Sequence, residues 1–273
     1  MEKAAVNGVS LAYELTGTGG EALVFLNGIA MSIAHWKPFV DALSADYPCL
    51  CHDFRGQLLS DKPKGPYHFA EHVEDLGALL LRLGIERAHL IGTSYGSEVA
   101  MLFAATYPAM TASLTVIDGV SELDPLLRAV GMAWKTAALA EPKAFYRSLI
   151  PWTYSASYIA ANRGALEKRE TAIVSFPRDY FEGFAALCDA FLELDMTAEL
   201  HRITCPSLVA VGDKDILKHP GYARIIADRI KGSRLVLLPG LGHAGVVEDP
   251  AAVIAALRPF LEGAARNAAH KGR

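Results

Sequence analysis

The sequence predicts an α/β protein built on a mostly parallel central sheet with helices on both faces. Three observations carry that reading. Short, continuous apolar runs such as 22–27, ending at Gly28, have the composition of strands buried on both faces. Other segments place apolar residues at helical spacing, as Phe69, Val73, Leu76, Leu80 and Leu83 do before the stop at Gly84. The two kinds alternate, and parallel neighbours need such helical crossovers.

The elements follow in order. Residues 11–15 read as an early antiparallel strand, and 22–27 and 47–53 as buried strands. After the helix around 69–83 come a strand at 88–92, a helix from about Ser94 to Tyr107 ended by Pro108, and a strand at 114–118. The pattern resumes with a strand at 207–212, a helix near 222–230, a strand at 234–238 and a helix at 250–261. The tail from Gly263 onward is expected to fray.

Residues 121–200 break this rhythm, with helical patterns and no convincing strand. The expected division is therefore a core of residues 1–120 and 201–273 and a helical cap insertion over 121–200. Eleven of the chain's 24 aromatics fall in the insertion, an excess that would either fill its own small core or roof a pocket. Trp152 and Phe184 are the candidates for a substrate-pocket wall.

Composition narrows the class. A net charge of −4 leaves no basic footprint for nucleic acid or an anionic membrane, so a small-molecule substrate is the expected partner. The opening residues hold no signal-like apolar core, and no apolar run is long enough to span a bilayer. Cys49, Cys51, Cys188 and Cys205 show neither disulfide-framework nor metal-site spacing, which fits a reduced, cytoplasmic protein. No metal-ligand cluster or phosphate loop is visible, so no cofactor is expected.

The sharpest motif is Gly92-Thr93-Ser94-Tyr95-Gly96, between a predicted strand and a predicted helix. A strand that turns at once into a helix forces the central residue into a strained backbone and crowds the residues two before and two after it. Glycines there relieve the crowding, and the serine oxygen projects above the sheet edge. His243 stands in a glycine-rich loop after the last strand, as a general base for Ser94 would. The other eight histidines have ordinary structural readings. Three carboxylates compete to orient His243: Asp118, Asp213 and Asp215, each at or just beyond a strand end.

Together these segments resemble the α/β-hydrolase family, across nearly the whole chain outside the insertion. Residues 92–96 resemble its nucleophile elbow, 212–215 its acid loop, and Gly240-Leu-Gly-His243 with Glu248-Asp-Pro250 its histidine segment. Residues 53–63 are similar to its D-x-R-G-x-G-x-S-D-x-P stretch, with Leu58 in place of a glycine. The resemblance implies the α/β-hydrolase fold and a triad of Ser94, His243 and Asp215, with Asp213 shaping the acid loop. It places the oxyanion donors at the backbone N–H groups of Ile29 and Tyr95. Asn27 stands where the family commonly has histidine, and could tilt the loop or offer its amide to the substrate. The character is nearest to small esterases and oxoadipate enol-lactonases, which implies hydrolysis of an ester, lactone or thioester of a small apolar substrate. Carbon–carbon bond hydrolysis, acyl transfer, cofactor-free perhydrolysis and a receptor without turnover stay open. A serine at the elbow argues against haloalkane dehalogenases and epoxide hydrolases.

Overall fold

A computed structural model describes residues 1–271 of the chain. It opens on a hairpin, β1 (Glu2–Val6) and β2 (Val9–Thr16), absent from the sequence expectation except for part of β2. The turn is Asn7-Gly8, both at positive φ (44° and 79°), a dipeptide that suits the twist of a two-residue hairpin. Then follow β3 (Ala22–Leu26), α1 (Lys37–Leu43), β4 (Cys49–His52), α2 (Phe69–Arg82), β5 (Ala88–Thr93), α3 (Tyr95–Thr106) and β6 (Thr111–Ile117). Five helices come next: α4 (Pro125–Ala140), α5 (Pro142–Thr153), α6 (Ala156–Ala161), α7 (Arg163–Val174) and α8 (Arg178–Leu192). The chain closes with β7 (Ser207–Gly212), α9 (Pro220–Arg229), β8 (Arg234–Leu238), α10 (Gly245–Glu248) and α11 (Pro250–Lys271).

The eight strands form one sheet in the order β1-β2-β4-β3-β5-β6-β7-β8. β2 pairs antiparallel with β1 and β4, and all other pairs are parallel. Side chains alternate between two cores, as the period of a strand demands. Val24 and Leu26 face the side covered by α2, α3 and α9, whereas Leu23 and Phe25 face α1 and α11. Cys49 and Cys51 are buried in the second core as free thiols, and burial pushes the Cys49 thiol up to about 12. This is the packing role their alternation predicts.

One expectation is corrected at the C-terminus. α11 continues through Gly263 to Lys271 instead of ending near Leu261. The residues after Gly263, Ala-Ala-Arg-Asn-Ala-Ala, are mostly strong helix formers and outweigh one glycine. The rest of the expected tail, 272–273, lies outside the described residues. Among the described residues no helix is long and apolar enough to cross a membrane.

Candidate active site at the carboxyl edge of the sheet

The site is assembled from the loops that leave β3, β5, β7 and β8. At the end of β5 the chain turns straight into α3, and Ser94 takes φ 52°, ψ −121°. This left-handed conformation costs a non-glycine residue on the order of 1–3 kcal/mol and persists only where surrounding contacts impose it. The contacts are tight: a Cβ on Gly92 would lie 2.3 Å from the Gly96 carbonyl oxygen, and one on Gly96 only 2.1 Å from that of Leu26. Ser97 Oγ donates to the Gly92 and Ile117 carbonyls and accepts from the Ile117 N–H, bracing the turn against β6.

Ser94 Oγ lies 2.8 Å from His243 Nε2, and His243 Nδ1 lies 2.8 Å from Asp215 Oδ2. Asp215 is buried, and its Oδ1 accepts from the Leu217 and Lys218 N–H groups at 2.8 Å each. The carboxylate is thereby aimed from behind, with one oxygen tied to backbone and the other to imidazole. Asp213 Oδ1 instead accepts from the Gly240 N–H at 2.7 Å, joining the acid loop to the histidine loop. Asp118 makes no bond to His243. Its Oδ1 accepts from Gly212 N–H, Oδ2 has no partner among the described residues, and burial next to Asp215 holds its carboxyl well above the usual range. Of the three acids, the structure brings only Asp215 to the imidazole.

The loop after β3 lies over Ser94: a Cβ on Gly28 would be 3.5 Å from that of Ser94. No acceptor among the described residues takes the Ile29 or Tyr95 N–H. Gln57 shapes this loop, donating from Nε2 to the Gly28 and Ile29 carbonyls while Oε1 accepts from the Phe54 N–H and Asn27 Nδ2. Here the expectation for Asn27 is corrected. Its side chain is fully buried, donates to the His52 carbonyl, Asp53 and Gln57, and accepts from Trp36 Nε1 at 2.8 Å. With its amide committed, Asn27 organises the loop and does not line the cavity.

A cavity of about 260 Å³ opens beside Ser94 and His243. The β3 loop supplies Ile29, Met31 and His35, and Leu58 of the departed glycine position also lines it. Its opposite wall comes from α4, α5, α7 and α8 through residues including Trp134, Tyr146, Tyr154, Arg169 and Tyr180. Burial lowers the pKa of His35, favouring the neutral ring. Trp152 and Phe184, expected in this wall, are absent from it. Phe184 is 1% exposed and packs edge-on against Phe145 at 4.6 Å, while Trp152 packs against the main core. Phe184 serves the competing reading of these aromatics, a core among the helices themselves, whereas Trp152 is only partly buried.

Two links hold the loops that carry His243 and Asp215 to their surroundings. Glu248, in α10, accepts from the Ser155 N–H at 2.7 Å and from its hydroxyl at 2.6 Å, and the Ala244 N–H donates to the Thr153 carbonyl. Beneath the nucleophile, the fully buried pair Lys218–Glu98 at 2.9 Å joins the acid loop to α3, with the ammonium 4.8 Å from the Phe191 ring. Neither link was anticipated from sequence. Glu98 leaves a trace as the lone acid in an apolar helix start, but Lys218 and Arg169 sit in polar runs that give no signal.

Comparison with known proteins bears on the family and the fold. Residues 23–256 match the sequence model of the Alpha/beta hydrolase family. A protein of Stutzerimonas stutzeri (strain A1501) named "Putative carbamate hydrolase RutD" is 32% identical over 244 residues, covering 87% of this chain and 91% of its own length. Among solved structures, MGS-M2, an alpha/beta hydrolase enzyme from a Medee basin deep-sea metagenome library, superposes with a TM-score of 0.91. It is 29% identical and covers 96% of this chain and 97% of that one. The enol-lactonase from Burkholderia xenovorans LB400 superposes with a TM-score of 0.88 at 28% identity, covering 96% of this chain and all of that one.

Proposed function

Since this chain belongs to the alpha/beta hydrolase family and is a hydrolase, we propose that it cleaves an ester, lactone or thioester of a small molecule through Ser94, His243 and Asp215. The observation that carries this is the unbroken relay of two 2.8 Å contacts from Ser94 Oγ through His243 to Asp215. Ser94 Oγ attacks the carbonyl carbon while His243 Nε2 takes its proton. The C–O or C–S bond of the tetrahedral intermediate breaks, and the same proton passes to the leaving group. Water, deprotonated by His243, then releases the acid from the acyl-serine. Asp215 keeps the Nδ1 proton in place, so that Nε2 is the basic nitrogen, and stabilises the imidazolium of each step. The N–H groups of Ile29 and Tyr95 face the developing oxyanion. A carbamate carbonyl, the substrate class in the name of the RutD relatives, would react by the same steps.

In this reading residues 121–200 act as a cap over a core of 1–120 and 201–273, and the cavity between them receives the substrate. The test is hydrolysis of p-nitrophenyl esters of graded chain length by wild type and Ser94→Ala. Because Ser94 is partly exposed and adds little packing, the variant is expected to keep its fold by circular dichroism and lose turnover. Wild-type rates from folded Ser94→Ala would remove the serine mechanism.

A further inference from the structure

We propose that Arg169 forms an anion subsite in the cavity, and that the substrate carries a carboxylate at the end remote from its scissile carbonyl. This rests on the hydrolase reading of Ser94 and narrows its substrate class. Arg169, on α7, lines the same cavity as Ser94 and His243. Among the described residues no Asp, Glu or Lys shares that wall, and the neutral form of His35 is favoured, so the guanidinium is the one fixed charge they place there.

The guanidinium carries five N–H donors. Within the protein it makes one side-chain hydrogen bond, from Nη1 to the Tyr154 hydroxyl at 2.9 Å, with Cζ 5.9 Å from that ring's centre. Among the described residues it forms no ion pair. The acids near it are occupied elsewhere: Glu170 by Arg147 at 2.7 Å and Lys143 at 3.6 Å, and Glu248 by Ser155.

A half-buried cation is costly to desolvate unless something pairs with it, and here the protein supplies only phenol rings. The planar fork of arginine matches a carboxylate in two parallel hydrogen bonds. A single fixed charge also balances a single carboxylate, whereas a phosphate would call for further donors. One end of the cavity is therefore built for reaction at Ser94, and its helical wall for an anion.

The test compares mono-p-nitrophenyl adipate, pimelate and suberate with p-nitrophenyl hexanoate, heptanoate and octanoate, in wild type and Arg169→Met. At one length or more, wild type is expected to favour the anionic ester in kcat/KM by about tenfold. Arg169→Met is expected to lower kcat/KM for that ester about 100-fold more than for its neutral partner, mainly through KM, with partial recovery in Arg169→Lys. Equal losses for both esters would make Arg169 a staple between α7 and Tyr154 and overturn the proposal, as would a neutral preference at every length. Calorimetric titration with adipate, pimelate and suberate reads the subsite without turnover. Saturable binding to wild type that Arg169→Met loses supports it even if no ester reacts, a result that would count against the Ser94 reading alone. Absence of binding to either protein, with esters turned over, overturns the subsite and leaves Ser94 in place.

Discussion

The two walls of the cavity are made in different ways. On the sheet side, single atoms are placed by backbone geometry: Ser94 by a strained turn, Asp215 by two N–H groups, the β3 loop by Gln57. On the helical side, a surface is placed by packing, with Phe145, Phe181 and Phe184 wedged together beneath the residues that reach the cavity. A wall of the first kind tolerates little change of residue type, because each atom has one donor or acceptor to meet. A wall of the second kind requires volume and apolarity, which many sequences provide. On the proposed reading, the difference gives chemistry to the sheet edge and stability with selection to the helices.

The comparison breaks most visibly at the acids. Asp215→Asn removes the acceptor that holds the Nδ1 proton and is expected to lower kcat by about 10⁴-fold, as loss of the correct tautomer does in other triads. Asp118→Asn keeps an acceptor for the Gly212 N–H and replaces a carboxyl that makes no bond to His243, so its kcat is expected within about threefold of wild type. Steady-state rates of the two variants on one ester decide this, and a crippled Asp118→Asn beside an active Asp215→Asn would move the acid to β6. On the other wall, Phe184→Ala is expected to cost about 3–5 kcal/mol of stability by denaturant melting, the usual loss for emptying a buried phenylalanine site. A large change in ester chain-length preference with little loss of stability would return Phe184 to the pocket wall.

The same contrast explains what could be read from the sequence. The strand–Ser94–helix turn was legible because only glycine fits at positions 92 and 96, so geometry leaves a mark in residue type. β3, β5, β7 and β8 were legible as apolar runs. β1 was overlooked although Asn7-Gly8 carried the hairpin signal, because it is a five-residue edge strand that buries only Ala4 and Val6, too short an apolar pattern to stand out. For Asn27 the sequence left loop shaping and substrate contact both open, because a polar side chain after a strand looks the same whether it faces ligand or Trp36. Trp152 and Phe184 failed for the matching reason on the helical side: aromatic content reports burial, not which face of a helix meets the cavity. Arg169 was invisible, since a charged residue in a polar helix acquires meaning only when its missing partner is seen.

The direct measurement of the central claim is the mass of the acylated protein. Wild type quenched in acid during hydrolysis of a p-nitrophenyl ester, then digested and sequenced by mass spectrometry, is expected to carry the acyl group on Ser94. His243→Ala is expected to accumulate none on the same timescale. Steady hydrolysis with no acyl-enzyme in rapid-quench samples of a substrate that shows burst kinetics, or an acyl group on any residue other than Ser94, would contradict it.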